Sequence, residues 1–112
     1  MIPHLPVNFV EKVWGHETWI VNNKRYCGKI LYFKKGHSGS LHFHKNKHET
    51  FYMMSGEIKI QISDCVYVLK RGEVIDIPAS VYHRVTAIRD STIFEFSTPH
   101  DDADTYRLEL SK

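Results

Sequence analysis

The stretch SLHFHKNKHETFYMMSG, residues 40–56, holds three histidines and a glutamate between His42 and Glu49. His42 and His44 are separated only by Phe43. Positions i and i+2 of a β-strand point to the same face, so the two imidazoles converge. Glu49 lies five residues beyond His44, and a short turn through Lys45, Asn46 and Lys47 would bring its strand back beside the first and place its carboxylate in the same interior. On this reading Phe51 and Met53 also point inward, while Leu41, Phe43, Thr50, Tyr52 and Met54 point outward. His48 has the opposite parity to Glu49 and reads as a surface residue or a neighbour of the site.

Outward from this stretch the chain reads as short strands divided by turn residues. Candidate strands cover 17–21, 28–34, 41–44, 50–54, 57–62, 66–70, 74–77, 83–88, 92–97 and 106–110. Asn22-Asn23, Gly36, Gly39, Ser55-Gly56, Arg71-Gly72, Pro78 and Arg89-Asp90 mark turns between them. Residues 99–105 read as a short helix or a loop. Strands at this spacing predict an all-β sandwich or barrel. In EIKIQIS, Ile58, Ile60 and Ile62 share one face and Glu57, Lys59, Gln61 and Ser63 the other, a sheet dry inside and wet outside.

A chain of 112 residues fits one domain, residues 1–112, with a core that needs no disulfide. The net charge of +2 and the scattered lysines and arginines argue against nucleic acid. Cys27 and Cys65 lack metal-type spacing and read as free thiols in a reducing cytosol. No apolar run approaches a membrane span, and the opening MIPHLPVNFVEKVWG has no signal-peptide pattern, so a soluble cytoplasmic protein is expected. Eight histidines are many for this length. His4, His16 and His100 read as surface residues, and Lys34, Lys35, Lys45 and Lys47 as solvated loop lysines.

His83, in PASVYHRV, begins a strand after the turn that Pro78 stiffens and is the best candidate for a fourth inward group. Burying His42, His44, Glu49 and His83 unpaired would cost about 1–3 kcal/mol for each group, and more for an ionised carboxylate. A metal ion removes that cost by pairing all four. Three imidazoles and one carboxylate suit a divalent first-row metal: Mn, Fe, Co, Ni or Zn. The outward row of Leu41, Phe43, Tyr52 and Met54 is too apolar to face water. Either the N-terminal segment around Val13, Trp14 and Trp19 or a second subunit should cover it, and a homodimer is the favoured reading.

The residues from Gly36 to Gly56 resemble the first motif of the cupin superfamily. That motif is a glycine, five residues, His-x-His, four residues, Glu, six residues and Gly, met by Gly36, His42, His44, Glu49 and Gly56. A chance match in a chain this long is on the order of one in ten thousand. The second motif is met at Gly72, Pro78 and His83, with Ser80 at a usual glycine and Ala87 at a usual asparagine. The resemblance implies a jelly-roll β-sandwich with a metal at its centre. A looser resemblance, carried by EKVWGHETWIV, YCGKILYFKKG, SLHFH, ETFYMMSGE and FSTPHDD…YRLE, is to the cupin module of type II mannose-6-phosphate isomerases. It implies a sugar or sugar-phosphate substrate, with Lys29 and Arg107 as substrate contacts. The leading expectation is a metal-dependent isomerase or epimerase in which the metal acts as Lewis acid for an enediolate. An Fe(II) dioxygenase and a non-catalytic sugar- or metabolite-binding module are the alternatives. Glu49 is occupied as a ligand, and the sequence names no catalytic base, although Lys29, Tyr26 and Tyr52 have the right chemistry.

Overall fold

The computed structural model describes residues 4–112, so the first three residues of the stretch read for a targeting signal lie outside it. Eleven strands follow in chain order among the described residues: β1 (Asn8–Lys12), β2 (Gly15–Asn22), β3 (Cys27–Phe33), β4 (Leu41–Phe43), β5 (Glu49–Ser55), β6 (Glu57–Ile62), β7 (Cys65–Lys70), β8 (Val74–Ile77), β9 (His83–Ala87), β10 (Ser91–Ser97) and β11 (Tyr106–Glu109). One 3-10 turn, Asp102–Asp104, precedes β11. The strands form two antiparallel sheets, ordered β1-β2-β3-β10-β5-β8 and β11-β4-β9-β6-β7. Sequence neighbours such as β4 and β5, or β9 and β10, fall in opposite sheets, as in a jelly roll. Ten strands follow the turn signals to within a few residues. The eleventh, β1, was not expected: NFVEK is an edge strand, exposed or half-buried throughout, and so shows no clear apolar alternation.

The core fills one half of the sandwich. Ile58 and Ile60 are wholly buried, as their alternation requires, against Met53, Ile77 and Ile93. Each such side chain contributes about 1.5–3 kcal/mol by leaving water. Trp14 stacks on Phe33, ring centroids 3.8 Å apart, and joins this core. It therefore does not cover an outer surface, while Val13 is exposed.

Along the same strands the inner face changes from apolar to charged. On β3 it runs Phe33, Leu31, Lys29; on β10, Ile93, Glu95; on β5, Met53, Phe51, Glu49, all buried. The cross-strand partners Lys29 and Glu95 are level with Trp19 on one side and Phe51 on the other. The polar half of the sandwich is thus built by the strands that build the core.

The expected apolar outer row divides between the sheets. Leu41 is buried, and Phe43 stacks on Tyr106 of β11, ring centroids 5.1 Å apart. Tyr52 and Met54 remain exposed on the six-stranded sheet. There a cross-strand row, Phe9–Thr18–Ile30–Phe94–Tyr52–Val74, crosses all six strands. Cys27 is buried and Cys65 exposed, and both are free thiols. Among the described residues no helix is long and apolar enough to cross a membrane.

Ser80, between β8 and β9, sits at φ +67°, and its N–H donates to the carbonyl of His44 at 2.6 Å. The left-handed region costs a residue with a Cβ about 1–2 kcal/mol. Glycine would relieve that, offset by about 0.5–1 kcal/mol of extra freedom in the unfolded chain. Ser80→Gly is expected to stabilise the protein by about 0.5–1 kcal/mol, read as a higher urea midpoint at unchanged slope. A lower midpoint would show that the serine hydroxyl, not backbone strain, governs this turn.

Candidate metal centre

His42 and His83 face each other across β4 and β9 as direct register partners, and His44 follows on the same side. The ring centroids of His42 lie 4.9 Å from those of His44 and 4.4 Å from those of His83. One ligand atom of each of the three lies within 4.8 Å of the others. The Nδ1 atoms point away from the cluster to backbone carbonyls: His42 to Ser40 and His44 to Asp104, each at 3.0 Å, and His83 to Val81 at 3.2 Å. A carbonyl only accepts, so each Nδ1 carries a hydrogen and leaves Nε2 as the atom that can ligate. Burial, reinforced by neighbouring His83, pushes His42 down to about 3. Burial takes His44 to about 4 against the opposing pull of Glu49. Both rings are neutral at pH 7, the state a metal requires.

Glu49 completes the group from the opposite sheet. Its Oε2 lies 3.2 Å from His83 Nε2 and 3.8 Å from His44 Nε2, yet is buried without a hydrogen-bond partner. Burial alone would raise this carboxyl; contact with His83 and the Lys47 ammonium outweigh it and hold it well below the usual carboxylate range. A buried carboxylate oxygen therefore faces the Nε2 atoms of His83 and His44, an arrangement that a bound cation would satisfy. The donor set fits a divalent transition metal, for which His42, His44, Glu49 and His83 are the available ligands.

Behind Glu49 the structure corrects two sequence readings. Lys47 is buried rather than solvated: its Nζ lies 2.7 Å from Glu95 Oε2, 3.2 Å from Glu49 Oε1 and 2.9 Å from His100 Nδ1. Burial would lower its pKa, but Glu95 and Glu49 raise it overall, so Lys47 is an ammonium held between two carboxylates. His100 is not a surface residue either. It lines the cavity, accepts from Lys47 through Nδ1 and donates through Nε2 to Asp102 at 2.8 Å. His16 is half-buried on the outer face beside Phe9 and Tyr32. His4, Lys34, Lys35, Lys45 and His48 are exposed as expected.

The four groups open into a cavity of about 110 Å³. Lys29 lines it from the wall at 2 % exposure, its Nζ 3.4 Å from Glu17 and 4.0 Å from the centroid of the Trp19 ring. Arg107 lines it from β11, where it is the register partner of His42 and is exposed. The cavity is smaller than a typical ligand pocket of about 300–1,000 Å³, so it takes a small molecule or one end of a larger one. The 3-10 turn clasps the site from outside the sandwich. The carboxylate of Asp104 accepts the backbone N–H groups of Lys45 and Asn46, each at 3.0 Å, while its own carbonyl orients His44. One residue thus fixes both the turn that joins His44 to Glu49 and the tautomer of His44.

Residues 29–100 match the cupin domain family. The chain is 31% identical over 72 residues to a mannose-1-phosphate guanylyltransferase of Sinorhizobium fredii, covering 64% of this chain and 14% of that protein. CapF of Staphylococcus aureus, a capsular polysaccharide assembling protein, superposes with a TM-score of 0.81 at 23% identity, over 96% of this chain and 35% of that one. Oxalate decarboxylase of Bacillus subtilis, a protein with Mn(II) centres, superposes with a TM-score of 0.80 at 18% identity, over 91% of this chain and 30% of that one. At these identities the two structures show the shared fold alone. The chain spans only a small part of the length of each of these relatives.

Proposed function

The chain belongs to the cupin domain family, and from that premise we propose that it is a metal-dependent isomerase or epimerase acting on a sugar or sugar phosphate in the cytoplasm. One observation carries the proposal: a fitting set of metal donors, with an orphaned carboxylate oxygen, shares a small cavity with Lys29 and Arg107. His42, His44, Glu49 and His83 would hold the Mn, Fe, Co, Ni or Zn ion. When bound, such an ion supplies a Lewis acid that polarises a carbonyl and acidifies the neighbouring C–H. Lys29 and Arg107 contact the hydroxyl or anionic groups of the substrate, and the narrow cavity admits its reacting end. The sugar assignment is supported by the names of the guanylyltransferase and the capsular polysaccharide protein.

The test is solvent deuterium exchange. Metal-loaded protein in D₂O should wash deuterium into one member of a panel of aldoses, ketoses and their phosphates. No incorporation into any of them would reject the isomerase reading. A second reading, a non-catalytic sugar-binding module, is favoured by the small share that this chain forms of its curated relative. Saturable sugar binding without exchange would select it.

The working form is a homodimer joined through the outer face of the six-stranded sheet, where Phe9, Ile20, Tyr52, Met54, Val74 and Phe96 are exposed. Sedimentation at tens of micromolar protein should give twice the chain mass. Tyr52→Glu with Phe96→Glu should give a folded monomer that still binds metal, because neither residue lines the cavity. A monomeric parent protein would reject the dimer.

A further inference from the structure

We propose that Glu95 is the general base of this cavity, an assignment that rests on the isomerase reading above. Isomerisation needs a group that takes a proton from carbon, and the other candidates are engaged or misplaced. Glu49 belongs to the metal donor set. Lys47 is an ammonium between two carboxylates. Both ring nitrogens of His100 are in hydrogen bonds. Glu17 is shared by Lys12, Lys29 and the Trp19 indole. Tyr26 is exposed, and Tyr52 lies on the outer face.

Glu95 lines the cavity, is 3 % exposed, and stands directly across from Lys29. The hydrogen bond from Ser97 and the ion pair with Lys47 both fall on its Oε2. The Lys47 ammonium bridges its carboxylate to that of Glu49. Glu95 thus lines the same cavity as the candidate metal donors. Burial and the charge of Glu49 raise the carboxyl against the opposing Lys47.

In the step, the Glu95 carboxylate takes the proton from the carbon that bears the hydroxyl, next to the carbonyl. The C–H electron pair becomes the carbon–carbon double bond, and the carbonyl π pair moves onto its oxygen. The Glu95 acid returns the proton to the former carbonyl carbon as the remaining hydroxyl loses its own proton to the other oxygen. Aldose becomes ketose with no change in composition and no outside oxidant.

The test compares Glu95→Gln with the parent protein on the sugar that the parent exchanges. Three quantities are read: deuterium wash-in, metal stoichiometry, and binding of the corresponding alditol, which has no acidic C–H. The expected result is a loss of wash-in of about 100-fold or more, at unchanged metal content and alditol affinity. Glu95→Ala should recover part of the lost rate with added formate, an effect that a purely structural role would not produce. Wash-in by Glu95→Gln within about threefold of the parent would overturn the assignment and leave the isomerase reading intact. Loss of metal from both variants would also overturn it, by making Glu95 a support of the donor set. No wash-in by the parent protein would reject the isomerase reading and the base together.

Discussion

His44→Ala is expected to strip the protein of metal while the sandwich stays folded. Four-ligand structural sites bind zinc with about 10–16 kcal/mol, so one ligand is worth roughly 3 kcal/mol, or about 100-fold in affinity. The remaining His42, Glu49 and His83 should not retain an ion through desalting. The fold should survive because the apolar core around Met53, Ile58, Ile60 and Ile93 is formed by other residues. Truncating His44 frees the Asp104 carbonyl and a weaker contact with the Thr105 hydroxyl at 3.4 Å, at about 1–3 kcal/mol. Elemental analysis after metal soaking, beside circular dichroism, checks both halves of the prediction. Full occupancy in the variant would remove His44 from the ligand set. Near-zero metal in the parent protein, as purified and after soaking, would reject the metal centre.

The second large effect falls at Gly56→Ala, in the turn between β5 and β6. Gly56 sits at φ +88°, and a Cβ there would lie 2.4 Å from both the Asp90 carbonyl oxygen and Ser91 Oγ. Neither neighbour can yield easily. Ser91 is wholly buried, and its hydroxyl bridges the Glu57 N–H at 3.0 Å and the Arg89 carbonyl at 2.8 Å. The left-handed backbone costs alanine about 1–2 kcal/mol, and overpacking adds about 1–3 kcal/mol. The expected loss of about 4 kcal/mol lowers Tm by about 16 °C in a domain of this size. Calorimetry measures it. A variant that melts within about 3 °C of the parent would show that the turn relaxes without disturbing Ser91.

The convergence of His42 and His44 was legible because strand parity is local. His42-x-His44 fixes a shared face whatever the rest of the chain does, and the burial of Ile58 and Ile60 follows from the same two-residue period. Glu95 obeyed the rule too: Ile93 and Glu95 alternate inward along β10, so a charged residue at an inward position was its signal. Lys47 had no such signal. It lies in a turn, and only its approach to Glu95, far off in sequence, makes it a buried cation. His100 depends likewise on a remote contact, with Asn22 bonded to its backbone N–H and carbonyl. The outer apolar row was misjudged because sequence neighbours were taken to share a sheet. β4 and β5 are adjacent in the chain but lie in opposite layers.

The clasp by Asp104 has a consequence for the order in which the site is finished. A ribosome releases His42, Glu49 and His83 well before Asp104. Until the segment with Asp104 emerges, the turn after His44 has no carboxylate to gather its N–H groups, and the His44 ring is free to flip and change tautomer. The nascent sandwich can therefore pair its strands while its donor set is still unaligned. Alignment of the candidate donors thus waits on a residue 21 positions beyond His83.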